Sequence, residues 1–196
     1  YAAALGIEAG FIGNTIGNYA YNWEILWGCV QNKFEDYVYN LQMYYESINN
    51  YFGVGCNYIT LYQMCNNNTF NNGCENIILG SENSEGLYFG YCEDNIFDNS
   101  RTDIKLGTAS VGNTFGTECK NIKLGDASVY NTFGANCSDI SLADNYSVGT
   151  ELLDEYKYIN NNWFGSNCSN INVIFPGETP GPNEGFDFKN NTFINC

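Results

Sequence analysis

The chain has 196 residues and a formal net charge of −15, with no histidine, three prolines and only 15% charged residues. Proteins that bind the nucleic-acid backbone are expected to be basic, so this charge argues against nucleic acid as a partner. No run of about 18 apolar residues is present, which argues against insertion into a membrane.

Residues 1–13 come before the first recognisable repeat, and we expect them to form a connection or an N-terminal cap. They lack the basic segment of a signal peptide. Because the chain also begins without Met and stops inside a repeat, we interpret it as a segment of a longer polypeptide or as a processed product.

From residue 14 onward, one tripeptide recurs: Asn, then any residue, then Phe or Ile. Most of these tripeptides are 18 residues apart, and three intervals are longer, at 27, 31 and 29 residues. A single coil of the shorter length cannot bury its own apolar side, so successive coils must stack and share a core. The large apolar residues of the tripeptides are Ile16, Phe34, Phe52, Phe70, Phe97, Phe115, Phe133, Phe164 and Phe193.

Other positions repeat when they are counted from this large apolar residue. Position +4 is small, positions +7 and +9 are large and apolar, position +6 is mostly Asn or Asp, and position +14 is a weaker Val or Ile site. Period-2 alternation such as that in residues 127–133 is typical of strands with one buried face. Gly at +1 and +10 predicts corners, because Gly reaches positive φ without steric cost.

These patterns predict an all-β fold: a single-stranded parallel β-solenoid of about nine 18-residue coils over residues 14–196. We expect a right-handed coil, although the sequence does not fix the hand. The three longer intervals predict loop excursions near residues 81–94, 145–160 and 176–188, because insertions in repeat proteins map to the surface. The last excursion holds all three prolines and is expected to be irregular.

Two columns of polar or small residues are expected to form structural ladders inside the stack. The Asn at position −2 should pair its side-chain amides along the axis, as in other stacked parallel strands. Its members are Asn14, Asn32, Asn50, Asn68, Asn95, Asn113, Asn131, Asn162 and Asn191.

The second ladder is the small column at position +4. It holds Cys56, Cys74, Cys119, Cys137 and Cys168, with Ala20 and Val38 in the first coils and Arg101 as the one exception. A metal or redox role needs a thiolate, whereas burial raises the thiol pKa. The nine cysteines also lack C-x-x-C spacing, so we expect packing and no cofactor or metal. Neighbouring thiols are close enough for a disulfide by distance alone, but such parallel side chains point the same way.

Tyrosines are concentrated in the first three coils and are predicted to lie outside the core. Exposed aromatic clusters usually mark an interface, here either with another subunit or domain or with sugar rings. Tyr19 with Tyr37 and Tyr21 with Tyr39 occupy equivalent positions of neighbouring coils. The predicted ligand or interface residues are Tyr19, Tyr21, Tyr37, Tyr39, Tyr44 and Tyr45.

Catalysis is disfavoured by the sequence. Six carboxylates lie near one another in the predicted stack, but they occupy different repeat positions and are mixed with lysines, so they form no focused pair. There is no His for general base chemistry and no nucleophile motif. A polysaccharide lyase or hydrolase of the tailspike type stays as the alternative. The six carboxylates are Asp94, Asp98, Asp103, Glu118, Asp126 and Asp139.

The stretches NTFGTECKNIKLG and NTFGANCSDISLA resemble the Asn-Thr-Phe-Gly/Cys repeats of tail fibre and tail-associated proteins of phages that infect gut Bacteroidota. The resemblance covers most of the chain but departs from the pattern in the Tyr-rich first coils and the three loops. It implies a virion or cell-surface protein outside the cell, with a trimer or other virion proteins as partners. The expected function is that of a structural or receptor-binding rod for host-surface glycan.

Overall fold

The computed structural model describes residues 5–8, 10–80, 91–107, 109–125, 127–142, 156–173 and 185–196. Within these residues every regular element is a β-strand, and the strands pair in parallel in three sheets. Neighbouring strands of a sheet come from successive coils, not from hairpins. The predicted all-β parallel solenoid is therefore confirmed.

The long-strand sheet has nine strands, all but the first of which are five residues long. Positions +7 and +9 of the repeat point inward along it, which explains why both are large and apolar. Its strands are Leu5–Ile7, Tyr21–Ile25, Tyr39–Met43, Asn57–Leu61, Glu75–Leu79, Thr102–Leu106, Lys120–Leu124, Ser138–Leu142 and Ser169–Val173.

The Phe sheet also has nine strands, each formed by the last two residues of the Asn-x-Phe tripeptide. Its strands are Thr15–Ile16, Lys33–Phe34, Tyr51–Phe52, Thr69–Phe70, Ile96–Phe97, Thr114–Phe115, Thr132–Phe133, Trp163–Phe164 and Thr192–Phe193.

The third sheet has six strands and closes the triangular circuit of each coil. In the first coils its place is taken by single parallel bridges, from Ile12 through Val30 and Ile48 to Asn66. Its strands are Cys65–Asn66, Tyr91–Glu93, Ala109–Val111, Ala127–Val129, Tyr156–Asn160 and Gly185–Asp187.

Pairing between coils follows the predicted 18-residue offset. Trp23 pairs with Leu41, and Ile104 pairs with Ile122. Across the longest interval the offset grows but the columns are kept, since Phe133 still pairs with Phe164. Register is therefore set by the repeat positions and not by the number of residues between them.

Residues with positive φ turn the chain at its corners. In the first coils they include a column at position +12, formed by Gly28, Glu46 and Met64, and three further columns run along the whole stack. They lie at positions −3, +3 and +6, and the commonest residues there are Asn, Asp and Gly, which tolerate this region best. Position +6 shows why the sequence favours Asn or Asp: every member is left-handed, even where it is Tyr58. The members at +6 are Asn22, Asn40, Tyr58, Asn76, Asp103, Asn121, Asp139 and Asn170.

The predicted inward site at +14 is wrong by one residue. Val111 and Val129 are only half-buried, whereas Ser110 and Ser128, just before them, are fully buried. The left-handed residue at position −3, such as Tyr130, interrupts the alternation between this strand and the Phe strand. The buried hydroxyls are satisfied locally: Ser110 Oγ donates to the Gly107 carbonyl at 2.9 Å, and Ser128 repeats the contact.

The reason for Gly at +1 also differs from the prediction. These glycines do not have positive φ; they lie where neighbouring coils come closest. A Cβ on Gly134 would be 2.7 Å from the carbonyl carbon of Gly116, which no side chain tolerates. Close approach of the backbones, and not a left-handed turn, therefore disfavours a side chain at Gly134, although other coils place Glu35, Asn71 and Asp98 at position +1.

Several predicted boundaries differ from the strands that the structure contains. Leu5–Ile7 pairs with the coil that follows, so part of the expected N-terminal connection already stacks as a coil. The ends of the three expected excursions, at 91–93, 156–160 and 185–187, are strands of the third sheet. Residues 81–90, 143–155 and 174–184 lie outside the described residues.

The centre of the solenoid is a column of stacked phenylalanine rings. Neighbouring centroids are 4.6 to 5.1 Å apart and the ring planes are within 6° of parallel. Around it lie the buried +4, +7 and +9 side chains of each coil. The stacked rings are Phe34, Phe52, Phe70, Phe97, Phe115, Phe133, Phe164 and Phe193.

The Asn ladder uses the full hydrogen-bonding capacity of its internal amides. Asn113 Oδ1 accepts from the backbone N–H and from Nδ2 of Asn95, at 3.1 and 3.0 Å. Its Nδ2 donates to Asn131 Oδ1 at 3.1 Å and to the Cys92 carbonyl at 2.8 Å. The same four contacts recur from Asn32 to Asn162, so these buried amides have no unsatisfied polar atom.

Asn113→Ala is expected to destabilise the chain by at least about 3 kcal/mol, because buried partners of the amide each lose a hydrogen bond at roughly 1–3 kcal/mol. Urea denaturation followed by circular dichroism measures the change. The matched control is Asn14→Ala in the same column, since Asn14 is exposed at the end of the ladder. Equal losses for the two variants would show that the ladder contributes no more inside than at its end.

Gly134→Ala is expected to lower the melting temperature clearly, because the new Cβ meets the backbone of the preceding coil. Gly17 is the matched control: it occupies the same +1 position, but a Cβ there has nothing within 4 Å. Gly17→Ala should therefore be close to neutral in differential scanning calorimetry. A similar drop for both variants would contradict close approach as the reason for glycine.

Candidate functional site

The tyrosine edge is the first part of the aromatic surface, formed by Tyr19, Tyr21, Tyr37, Tyr39 and Tyr58. Tyr19 and Tyr37 are stacked, with centroids 5.3 Å apart and planes within 8°. Tyr21 and Tyr39 are register partners on the long-strand sheet. Tyr39 packs edge-on against Tyr58, with ring centroids 5.1 Å apart. About half of the surface of Tyr19, Tyr37, Tyr39 and Tyr58 is exposed.

The tyrosine edge depends on the corners of the coil. Tyr19 and Tyr37 have φ of 62° and 60° at position +3, where a bulky residue is strained. In the next two coils the same position is Gly55 and Gly73. A residue with no Cβ is the natural solution at this corner, so folding alone does not select the two tyrosines.

The aromatic corner is the second part of the surface, formed by Trp27, Tyr44, Tyr45 and Tyr62 at the other end of the long strands. Trp27 stacks on Tyr45 with centroids 4.1 Å apart, and Tyr44 stacks on Tyr62 at 4.5 Å, both within 8° of parallel. Trp27 is 53% exposed, whereas Tyr44 and Tyr45 are half-buried. Trp27, Tyr58 and Tyr62 were not among the predicted residues, although Trp27 and Tyr62 each lie one coil away from a predicted tyrosine at the equivalent position.

Polar side chains separate the two aromatic parts. Glu24, Gln42 and Thr60 occupy the outward position +8 of three successive long strands. The Tyr44 hydroxyl donates to Gln42 Oε1 at 3.1 Å. Burial, and then hydrogen bonding to Glu24, raises the pKa of Tyr44 to about 12, so its hydroxyl stays protonated and can keep donating within this strip.

The predicted site residues therefore lie on one outer face of the first three coils, which we call the aromatic face. It comprises the tyrosine edge, the aromatic corner and the polar strip between them. A strand of five residues separates the two aromatic parts by roughly 15 Å. Flat rings on both sides of hydrogen-bonding groups form a surface suited to a flat, polar ligand.

Three of the carboxylates considered for catalysis accept hydrogen bonds from neighbouring coils. Asp103 and Asp139 accept from the side-chain amides of Asn121 and Asn170 in neighbouring coils. Glu118 accepts from Ser100 at 3.3 Å. Asp126 lies outside the described residues. Among those described, no group of three or more Cys, Asp or Glu side chains is placed to hold a metal ion.

The cysteines of the +4 column remain as thiols and bond to the backbone. Each S–H is placed to donate to the carbonyl at position +1 of the preceding coil, for example from Cys74 to Gly53 at 3.1 Å and from Cys137 to Gly116 at 3.2 Å. Cys56, Cys119 and Cys168 repeat this contact. The column thus bonds to the backbone at position +1, which is glycine in some coils and Glu35 or Asp98 in others.

Burial favours the protonated form of several buried thiols, inside and outside this column. It raises the pKa of Cys29 to about 12, and it raises the pKa of Cys65 and Cys168 as well. Hydrogen bonding to the next thiol in the column, and then burial, raises the pKa of Cys56 and Cys137. These raised values favour folding below the ordinary thiol pKa of about 8.5, and the contribution is lost as the pH rises above it.

We expect a thiol reagent to modify the native chain at Cys196 alone at about pH 8, because the other eight cysteines are buried. All nine should react after unfolding in denaturant. Mass spectrometry of the alkylated chain gives the count, and Cys196→Ser is the control that should leave the native chain unmodified. Rapid modification of a second cysteine in the native chain would contradict the packing.

No helix that could cross a membrane is found in the part of the chain that the structure describes. Comparisons with protein-family models, curated proteins and solved structures found no match to this chain.

Proposed function

We propose that this chain is a rigid rod segment of a phage tail fibre or similar surface adhesin, and that its aromatic face binds cell-surface glycan. The observation that carries the proposal is the aromatic face itself. Nine Tyr and Trp side chains lie there in the first three coils, stacked and partly exposed, beside outward-facing polar groups.

Folding does not account for this concentration of rings. The equivalent positions in later coils hold small or polar residues, including Glu118 and Asn136 at +3 and Asn121 at +6. Those coils stack in the same register with no aromatic side chain at these positions. An exposed apolar patch that stability does not require usually marks a binding surface.

The chemistry of the aromatic face fits a saccharide. The C–H faces of sugar rings pack against aromatic rings, and their hydroxyls need donors and acceptors beside those rings. Gln42, Glu24 and the Tyr44 hydroxyl supply such groups between the two aromatic parts. The rings along each column repeat at the coil spacing, about 4.8 Å, so the aromatic face presents a regular track along the rod.

The negative charge of the chain narrows the class of glycan that the aromatic face is proposed to bind. The chain carries a formal charge of −15, and the aromatic face lies beside Glu24, Glu35 and Asp36. The nearby cation Lys33 is paired with Glu35 at 3.4 Å. Like charges placed together are unfavourable, so the proposal specifies a neutral glycan and not a sialylated or sulfated one.

The proposal assigns the chain a binding role and no catalytic one. It also places the protein in a virion or at a cell surface, as a homo-oligomer with a trimer favoured. The continuous ladders of Asn amides and Phe rings support the proposed role as a rigid rod, because they connect each coil to the next.

A glycan array tests the function, and substitutions on both aromatic parts should weaken binding to neutral glycans by at least about tenfold, or roughly 1.4 kcal/mol. For the tyrosine edge we suggest Tyr19→Asn with Tyr37→Asn, because Asn tolerates the positive φ at both positions. For the aromatic corner we suggest Trp27→Ala with Tyr45→Ala. Tyr130→Asn is the matched control, since Tyr130 is an exposed left-handed tyrosine far along the rod.

Sedimentation of the same variants separates binding from assembly. Unchanged oligomeric state with lost glycan binding supports the proposal. If the substitutions dissociate an oligomer and no saccharide binds the parent chain, the aromatic face is a subunit interface and the proposal is wrong. Release of shortened saccharides from a bound polysaccharide would instead favour the lyase or hydrolase alternative.

A further inference from the structure

The corner between positions +2 and +3 is joined to the next coil by a backbone hydrogen bond. The N–H at +3 donates to the carbonyl at +2 of the coil that follows, for example from Gly55 to Asn72 at 3.0 Å. Residues that make this contact are Tyr19, Tyr37, Gly55, Ser100, Glu118, Asn136 and Asn167. Among the described +3 residues that have a following coil, Gly73 is the one whose N–H lacks the bond. The corner at Gly73 is therefore open towards the next coil.

The side chain of Asn72 departs from its column at the same corner. Elsewhere at +2, the side-chain oxygen of an asparagine accepts from the backbone N–H of the next +2 residue. Asn18 accepts from Asp36 at 2.9 Å, and Asn99 accepts from Thr117 at 2.8 Å. No such bond joins Asn72 to the N–H of Asn99 in the part of the chain that the structure describes. The next coil thus leaves this side-chain amide unheld.

Arg101 lies at the same junction between coils. It occupies position +4 in a column where every other described member is Ala, Val or Cys. Arg101 is completely buried, at 0% exposure, and is the largest fully buried side chain among the described residues. A further backbone contact is missing beside it. The N–H at +5 donates to the preceding +4 carbonyl elsewhere, as Lys120 does to Arg101, but among the described strands this bond is absent from Thr102 to Cys74.

The size of Arg101 accounts for the incomplete pairing of the two coils. A close-packed interior that receives a side chain larger than its slot responds by moving the backbone around it. The guanidinium Nη2 donates to the carbonyl of Phe70, at position 0 of the preceding coil. The thiols of this column donate instead to the carbonyl at +1, as Cys74 does to Gly53. Arginine therefore fills the slot differently from cysteine, and the lost contacts lie on both sides of it.

The open corner carries the one Asn-Gly dipeptide of the sequence. Asn72 and Gly73 are both exposed, and Gly73 has a φ of 72°. Glycine has no Cβ to shield its nitrogen, and an asparagine side chain readily folds back onto its own backbone. A backbone nitrogen that donates to no neighbour can act as a nucleophile. An unheld amide, an unbonded nitrogen and the absence of a side chain therefore coincide here.

We propose that Asn72 is a site of spontaneous deamidation in the folded chain, and that the corner opened at Arg101 makes it one. The Gly73 nitrogen gives up its proton to solvent base and attacks Cγ of Asn72. The new N–Cγ bond forms as the Cγ–Nδ2 bond breaks, and Nδ2 takes up a proton from solvent and leaves as ammonia. Water then opens the cyclic imide at either carbonyl, which gives aspartate or isoaspartate.

The modification changes both the charge and the path of the chain. A carboxylate replaces a neutral amide in a chain whose formal charge is already −15. In isoaspartate the backbone runs through the former side chain and is longer by a methylene group, at a residue whose carbonyl accepts from Gly55. Gly55 and Gly73 continue the +3 column of Tyr19 and Tyr37. The modified residue therefore lies at the end of the tyrosine edge.

Peptide mapping by mass spectrometry tests the proposal on the folded chain, incubated at mildly alkaline pH. Asn72 should be converted at least about tenfold faster than Asn18 or Asn99, because only Asn72 precedes a glycine. The other two are also held by the next coil. Gly73→Asn keeps the left-handed corner, since Asn136 adopts it at the same position, and should slow the conversion of Asn72 by a similar factor.

Arg101→Cys separates the effect of the fold from that of the dipeptide. It restores the residue type of the column and should let Gly73 bond to Asn99, so conversion of Asn72 should slow severalfold in the folded variant. In denaturant, variant and parent should be converted at the same rate. If circular dichroism shows that this variant does not fold, Arg101→Ala takes its place, since Ala also occurs in the column.

Three results would each overturn the proposal. The first is an unmodified Asn72 in the folded parent under conditions that convert it in denaturant. The second is an equal rate at Asn72, Asn18 and Asn99 in the folded chain. The third is an unchanged rate at Asn72 in the folded Arg101 variant, because the dipeptide alone would then account for the reaction.

Discussion

The stacked side-chain amide of asparagine is the interaction on which this solenoid depends. Inside the stack, the residue at position −2 must accept hydrogen bonds from two donors and donate to two acceptors, in a place that water does not reach. Asn does so by bonding to both neighbouring coils at once, as Asn113 does through Asn95 and Asn131. Any other side chain at this position would leave buried polar groups of the adjacent coils unsatisfied. The amide thus fixes the distance between coils, and the adjoining phenylalanine rings stack at the same spacing.

A constraint that is placed in one short tripeptide leaves the rest of the coil free to vary in length. The ladder continues from Asn68 to Asn95 and from Asn131 to Asn162, across intervals of 27 and 31 residues, with the same amide geometry as in the shorter coils. Added residues therefore need no compensation in the core. This separation between register and chain length explains how long insertions can occur in a stack whose interior hardly changes.

The Phe, +7 and +9 columns of the interior could be predicted from the sequence because each of them is filled by large apolar side chains in every coil. The third strand could not, because its inward residue is a serine or cysteine, as at Ser110 and Cys92, and hydrophobicity alone pointed to the valine beside it. A left-handed residue interrupts the alternation of buried and exposed side chains along a strand. When that residue is a tyrosine, as at Tyr130, its type gives no indication of the interruption. For the outer surface, the sequence indicated the tyrosines that recur in neighbouring coils. It missed Trp27, because a tryptophan paired with Tyr45 does not look like a repeat, although the 18-residue spacing relates them.

When a repeat position holds the same kind of residue in most coils, an exception at that position needs an explanation other than folding. On the outside, the later coils stack with Glu, Asn or Gly at the corners, so the tyrosines of the first coils are not there for stability. On the inside, the +4 column is complete with Cys, Ala or Val, so Arg101 is not there for packing. In both cases the exceptional residue has a chemical group that the other members of its column lack. Because a repeat provides its own internal reference for every position, such departures can be identified within a single chain, and here they single out the aromatic face and Arg101.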